Sequence, residues 1–169
     1  MTDPASAEPL LLRVGGLTRA DLEGALADAG VGLNASAETL LADAIFDHQE
    51  PATFQVIECT VEELQLTESA TLPHIFAGAR AQGLLLCPPY TGPYLRLAVS
   101  DQTTASDSVL SNGHAPTGSV TVASEPLRSD AGYAKGFYLR VVDGRPWLRG
   151  YRCSTEYLWS REAMFAFRV

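Results

Sequence analysis

Lysine is almost missing from this chain. It occurs once in 169 residues, at Lys135, against eleven arginines. A GC-rich genome alone produces such a bias, so the count carries less than the positions. Basic charge as a whole is scarce, with a net charge of −8. That balance works against nonspecific attachment to nucleic acid or to an anionic membrane, both of which would repel the chain on average. Cysteine is rare and odd in number: Cys59, Cys87 and Cys153, widely spaced, with no C-x-x-C pair. This argues for reduced thiols in a cytoplasmic setting, and against a disulfide frame or a structural zinc site. No apolar run nears the roughly 18 residues of a transmembrane helix. Met1 to Pro9 has no basic cluster, and Leu10 to Leu12 is too short for the apolar stretch of a signal peptide. The motifs G-x-S-x-G, H-E-x-x-H and G-x-G-x-x-G are all missing. We therefore expect no metal and no cofactor, and lean away from an enzyme.

What is present suits a globular domain. Hydrophobic residues make up 46% and charged residues 19%, wrong for disorder and ordinary for a packed core. We expect one domain over 10–169 with a loose tail over 1–9. Charge is polarised along the chain. Residues from Arg128 onward hold eight basic and four acidic side chains; those before hold four basic and sixteen acidic.

The first half shows a helical period. Thr18 is a natural N-cap for a helix carrying Leu22, Ala25, Leu26 and Ala29, with Gly30 as its stop. A second short helix follows Asn34 or Ser36 and carries Leu40 and Leu41. After Pro51, Phe54, Val56 and Ile57 suggest a strand ending near Thr60. Thr60-Val-Glu-Glu63 is a capping box. Thr71 caps a helix with Leu72, Ile75, Phe76 and Ala79 on its buried stripe and Gly83 at its end. From Leu84 the period changes to two. Leu84–Cys87, Tyr94–Val99, Ser119–Ser124, Gly136–Val142 and Arg145–Cys153 read as strands, with shorter ones at Tyr157–Trp159 and Phe165–Val169. Ser100 to Thr117 forms a long polar loop. The expected fold is α+β, with N-terminal helices packed on a mainly antiparallel C-terminal sheet.

One tripeptide recurs. An aromatic residue, leucine and arginine follow one another at Tyr94-Leu95-Arg96, Tyr138-Leu139-Arg140 and Trp147-Leu148-Arg149. On a strand each copy sends its leucine to one face and its ring and guanidinium to the other. Asp143-Gly144 is a strong type I′ hairpin turn. A two-residue loop there sets Arg140 opposite Trp147 and Tyr138 opposite Arg149, with Tyr151 further along the same face. The result is a ladder of rings and guanidinium groups. The ladder is either a self-stabilised sheet face, which the acidic N-terminal helices could also cover with carboxylates paired to its arginines, or a binding surface, because arginine offers a planar fork to carboxylate or phosphate while rings offer stacking area. As a binding surface it comprises Arg96, Tyr138, Arg140, Trp147, Arg149 and Tyr151, and it suits a protein partner or an anionic small molecule.

Other chemistry is weaker. Gly113-His-Ala-Pro-Thr-Gly-Ser119 has the glycine spacing of a phosphate loop without its lysine, and it leads into a strand where the motif needs a helix. Asp47-His48-Gln49-Glu50 reads as a solvated helix end. His74 lies in a first helical turn. Cys87 beside His74 or His114 would give a nucleophile, and the alternative function is a small enzyme acting on an anionic substrate through Cys87 or His114.

The segments Leu84 to Leu97, Ala115 to Leu127, Lys135 to Arg140 and Trp147 to Arg152 together resemble a family of small, uncharacterised bacterial single-domain proteins, some of which carry a helicase label. The resemblance implies a bacterial origin and, through the label, association with nucleic acid as a further alternative. It brings no catalytic residues. A helicase motor needs a lysine-bearing phosphate loop and a metal-holding acidic motif, and neither is present. The leading expectation is a cytoplasmic binding or adaptor domain acting through the aromatic/arginine face.

Overall fold

The computed structural model describes residues 8–66, 68–99, 118–130 and 132–169. Most of the expected tail, the polar loop from Ser100 to Thr117 and His114 within it lie outside the described residues.

Leu10–Val14 forms strand β1, with Leu12 and Val14 buried and Leu11 facing out. Helix α1 spans Arg19–Asp28, and its Thr18 hydroxyl accepts from the Asp21 amide at 3.0 Å. Strand β2 is only Gly32–Leu33. Helix α2, Ala35–Leu41, starts at Asn34, whose side chain accepts from the Ala37 amide. Strand β3 runs Ala52–Thr60. The capping box closes reciprocally: the Thr60 amide donates to Glu63 at 2.8 Å, and the Glu63 amide donates to the Thr60 hydroxyl at 3.2 Å. It opens a 3-10 turn at Glu62–Leu64. Helix α3, Leu72–Ala81, begins at Thr71. Helix α4 spans Thr91–Ala98. Strands β4 (Val120–Val122), β5 (Gly136–Val142), β6 (Arg145–Tyr151) and β7 (Met164–Arg168) complete the fold.

The seven strands form one sheet in the order β1-β3-β7-β4-β5-β6-β2. The molecule is α+β, but the sheet is mixed, which corrects the mainly antiparallel expectation. Strand β4 runs parallel to β7 and β2 parallel to β6. Nor is the sheet confined to the C-terminal half, since β1, β2 and β3 come from the first 60 residues. Parallel neighbours are joined by long connections and leave no local turn signal.

Apolar side chains leave both faces of the sheet. On the first face, Val56, Val122, Phe137, Leu139 and Leu148 pack with Leu22 and Leu26 of α1, Leu40 and Leu41 of α2, and Leu95 of α4. On the second, Ile57, Cys59, Phe165 and Phe167 pack with Ile75, Phe76 and Ala79 of α3 and with Trp159. Strand β7 lies between these cores, which is why Phe165, Ala166 and Phe167 are all buried and the strand shows no alternation.

Three expected strands are corrected. Tyr94–Val99 belongs to α4. Pro93 sits in the first turn, where no backbone donor is needed. Gly92 lets the helix touch the sheet: a Cβ there would lie 2.6 Å from Phe137 Cβ. Leu84–Cys87 is extended but joins the sheet only at single points. Leu85 and Arg168 exchange two backbone hydrogen bonds of 2.8 Å, and the Cys87 amide donates to the Ala123 carbonyl. Tyr157–Trp159 is likewise reduced to one bridge, Ala70 with Trp159.

Candidate functional site

The β5–β6 hairpin has the anticipated register. Asp143 and Gly144 take positive φ values of 50° and 81°, as a type I′ turn requires. Val142 pairs with Arg145, Arg140 with Trp147, Leu139 with Leu148, Tyr138 with Arg149 and Gly136 with Tyr151. Leu139 and Leu148 enter the first core. Strict alternation then sends Tyr138, Arg140, Trp147, Arg149 and Tyr151 toward the second face.

Trp147 lies in contact with two guanidinium groups. The Arg149 guanidinium carbon lies 4.4 Å from the centre of the Trp147 ring, and that of Arg145 lies 4.9 Å from the same ring. Both are cation–π distances. Trp147 also lies against the edge strand, where a Cβ on Gly32 would fall 2.6 Å from its ring atoms.

Exposure divides this group. Arg140 is fully buried at 0%, and Arg149 is 8% exposed. Tyr138 and Trp147 are half-buried, and Arg145 is exposed. The ladder is therefore mostly an interior feature, partly open at Tyr138, Trp147 and Tyr151 and exposed at Arg145. Alternation fixes which face a side chain takes; it says nothing about whether that face is covered.

Arg96 stands apart from the ladder. It comes from α4 rather than a strand and is buried. Its Nη2 donates to the Val99 carbonyl at 2.8 Å, and its Nη1 donates to the carbonyls of Arg140 at 3.3 Å and Trp147 at 3.4 Å. Burial lowers its pKa from the ordinary arginine value. Arg96 thus closes the end of its own helix and ties it to the hairpin backbone. Tyr151 takes the expected face and turns into the second core, edge-on to Trp159 at 5.5 Å. Its hydroxyl is buried, and burial pushes its pKa up.

Cys87 is 3% exposed, and its thiol donates to the Ala166 carbonyl. Burial pushes its pKa up to about 12, against a smaller opposing effect of Arg168. A thiol so placed holds almost no thiolate at neutral pH. His74 is exposed on α3. The Asp47-His48-Gln49-Glu50 segment is solvated at Asp47, His48 and Glu50 but not at Gln49. His48 and Glu50 pair with each other at the surface, while Gln49 is buried and donates to the carbonyls of Leu17 and Phe46. Of the phosphate-loop-like segment, only Gly118 and Ser119 are described, and they lead into β4 rather than a helix. Among the described residues, no group of three or more His, Cys, Asp or Glu is placed to hold a metal ion. No helix among them is long and apolar enough to cross a membrane.

A cleft of about 290 Å³ lies on the second face, between α3 and the chain that follows β4 and β6. Leu72, Pro73, Phe76 and Arg80 come from α3; Glu125, Pro126, Lys135, Cys153, Ser154 and Thr155 form the opposite side. Sequence reasoning missed it. The available signal was the lysine count, because the single lysine of an arginine-based chain is in this cleft.

Comparison with family models, curated proteins and solved structures found no match to the chain.

Proposed function

We propose that the chain is a non-catalytic binding domain of the bacterial cytoplasm whose partner protein meets the open margin of the β5–β6 hairpin. The observation that carries this reading is the stack of Arg145 on Trp147 beside the exposed turn at Asp143-Gly144. Arg145 is exposed, and its Nε donates to the Gly30 carbonyl at 3.3 Å, which holds the guanidinium in place before any partner arrives. A pre-placed arginine over an indole is the kind of anchor that protein interfaces favour. Its charge suits a partner segment bearing a carboxylate. The buried arginines Arg140, Arg149 and Arg96 serve this surface from behind by fixing the hairpin. Binding is favoured over catalysis because Cys87 is buried with a raised pKa. Free thiols at Cys59, Cys87 and Cys153 suit a reducing compartment.

The test compares Arg145→Glu with Arg161→Glu, a second exposed arginine away from the hairpin, in cross-linking to cytosolic proteins of the host. A partner lost by Arg145→Glu and kept by Arg161→Glu, at equal thermal stability, supports the reading. A partner set identical for both variants and wild type contradicts it.

A further inference from the structure

The cleft between α3 and the strand ends is independent of the hairpin margin, and its chemistry is more specific. One side is apolar: Leu72 and Phe76, one helical turn apart on α3, with Pro126 facing them. The other side carries Lys135. This residue is 8% exposed, with its stem packed into the cleft wall. Among the described residues its ammonium makes one hydrogen bond, to the Asp130 carbonyl at a long 3.4 Å. An ammonium has three donors, and a neutral carbonyl does not balance its charge. Among the described residues no carboxylate pairs with it. The cleft's own acid, Glu125, is engaged with Arg80 at 3.1 Å.

The site therefore combines an apolar wall, one cation without a counter-ion and hydroxyl groups from Ser154 and Thr155 near its mouth. We propose that this cleft is a binding site for a small carboxylate with an apolar body, its carboxylate on Lys135 and its body against Leu72 and Phe76. The volume sits at the small end of ligand pockets, which suits a short acyl chain or a single ring and is too little for a nucleotide or a folded partner. One uncompensated positive charge matches a monoanion. A dianionic phosphate would call for further donors, and Arg80 is already paired.

Cys153 supplies a reporter at the site. It lines the cleft and is half-buried, whereas Cys59 and Cys87 are buried. Native alkylation by iodoacetamide, read by mass spectrometry, should modify Cys153 first. The probes are octanoate, its neutral counterpart 1-octanol, and inorganic phosphate. At millimolar concentration octanoate should slow Cys153 alkylation at least fivefold, while 1-octanol and phosphate leave it within twofold. Lys135→Met should abolish protection by octanoate, and Lys135→Arg should keep part of it. Cys59 and Cys87 remain unmodified in any variant that retains the fold, so misfolding is visible in the same spectrum. The wild-type comparison of octanoate with 1-octanol decides the matter even if Lys135→Met does not fold. Equal protection by octanoate and 1-octanol, protection by phosphate, or no protection by octanoate would each overturn the proposal.

Discussion

At the scale of single residues, Asp43 shows how polar groups are placed to hold this fold. Its carboxylate accepts from the Tyr133 hydroxyl at 2.7 Å and the Ile45 amide at 3.1 Å, and pairs with Arg128 at 3.4 Å. Its carbonyl accepts from Arg19 Nη2 at 2.8 Å. Burial acts to raise the carboxyl pKa. The hydrogen bonds from Tyr133 and Ile45 and the charge of Arg128 outweigh it, and the net shift is downward. A carboxyl depressed in the folded state adds stability above its unfolded pKa of about 3.9, and that stability is lost as pH falls through the folded value. Asp43→Asn should therefore cost about 1–2 kcal/mol at pH 7. Urea unfolding across pH should show the gap between wild type and variant closing below about pH 4. A gap constant from pH 7 to pH 2 would mean that the carboxylate charge plays no part.

Elements divide into those with local signals and those set by distant packing. The caps at Thr18, Asn34 and Thr71, the box at Thr60 and Glu63, and the Asp143-Gly144 turn were legible because each acts within four residues. The hairpin register followed from the turn alone. Helix α4 was not legible. Tyr94, Leu95 and Arg96 fit a strand pattern as well as a helical one over so short a span, and the decision lies in the Gly92–Phe137 contact, 45 residues apart in sequence. The parallel pairings of β2 and β4 were hidden for the same reason. Two substitutions test these long-range joints. Gly92→Ala should overpack α4 against Phe137 and cost about 1–3 kcal/mol, seen as a lower urea midpoint. Asn34 both caps α2 and extends the sheet edge: its Oδ1 accepts from the Gly150 amide at 2.9 Å and its Nδ2 donates to the Gly150 carbonyl at 3.0 Å. Asn34→Ala removes all three bonds, and a loss of about 2 kcal/mol is expected. Asn34→Asp, which keeps the cap and only the accepting half of the edge pair, should fall between.

For the whole molecule, the pattern that stood out in the sequence became mostly interior structure. The aromatic/arginine residues of the hairpin lie on one face as the tripeptides implied, and that face is largely covered. The acceptor role of the Arg140 and Trp147 carbonyls toward Arg96 joins the helical copy of the tripeptide to the two strand copies. Periodicity could place these side chains but could not say what closes over them, since covering depends on segments remote in the chain. The thiols follow the same layering. Cys59 and Cys87, each pushed up to about 12 by burial, should react only after unfolding, and three thiols should then be titrated.

The central claim is that the ladder supports the fold from within and offers only its Arg145–Trp147 margin outward. Equilibrium urea unfolding at pH 7 of Arg140→Ala beside Arg145→Ala tests it most directly. Truncating the fully buried Arg140 should cost about 3–5 kcal/mol, the range for opening a core or stripping a buried charge of its setting. Truncating the exposed Arg145 should cost less than about 1 kcal/mol. Equal, small losses for the two variants would contradict the account and return Arg140 to the surface as a free binding residue.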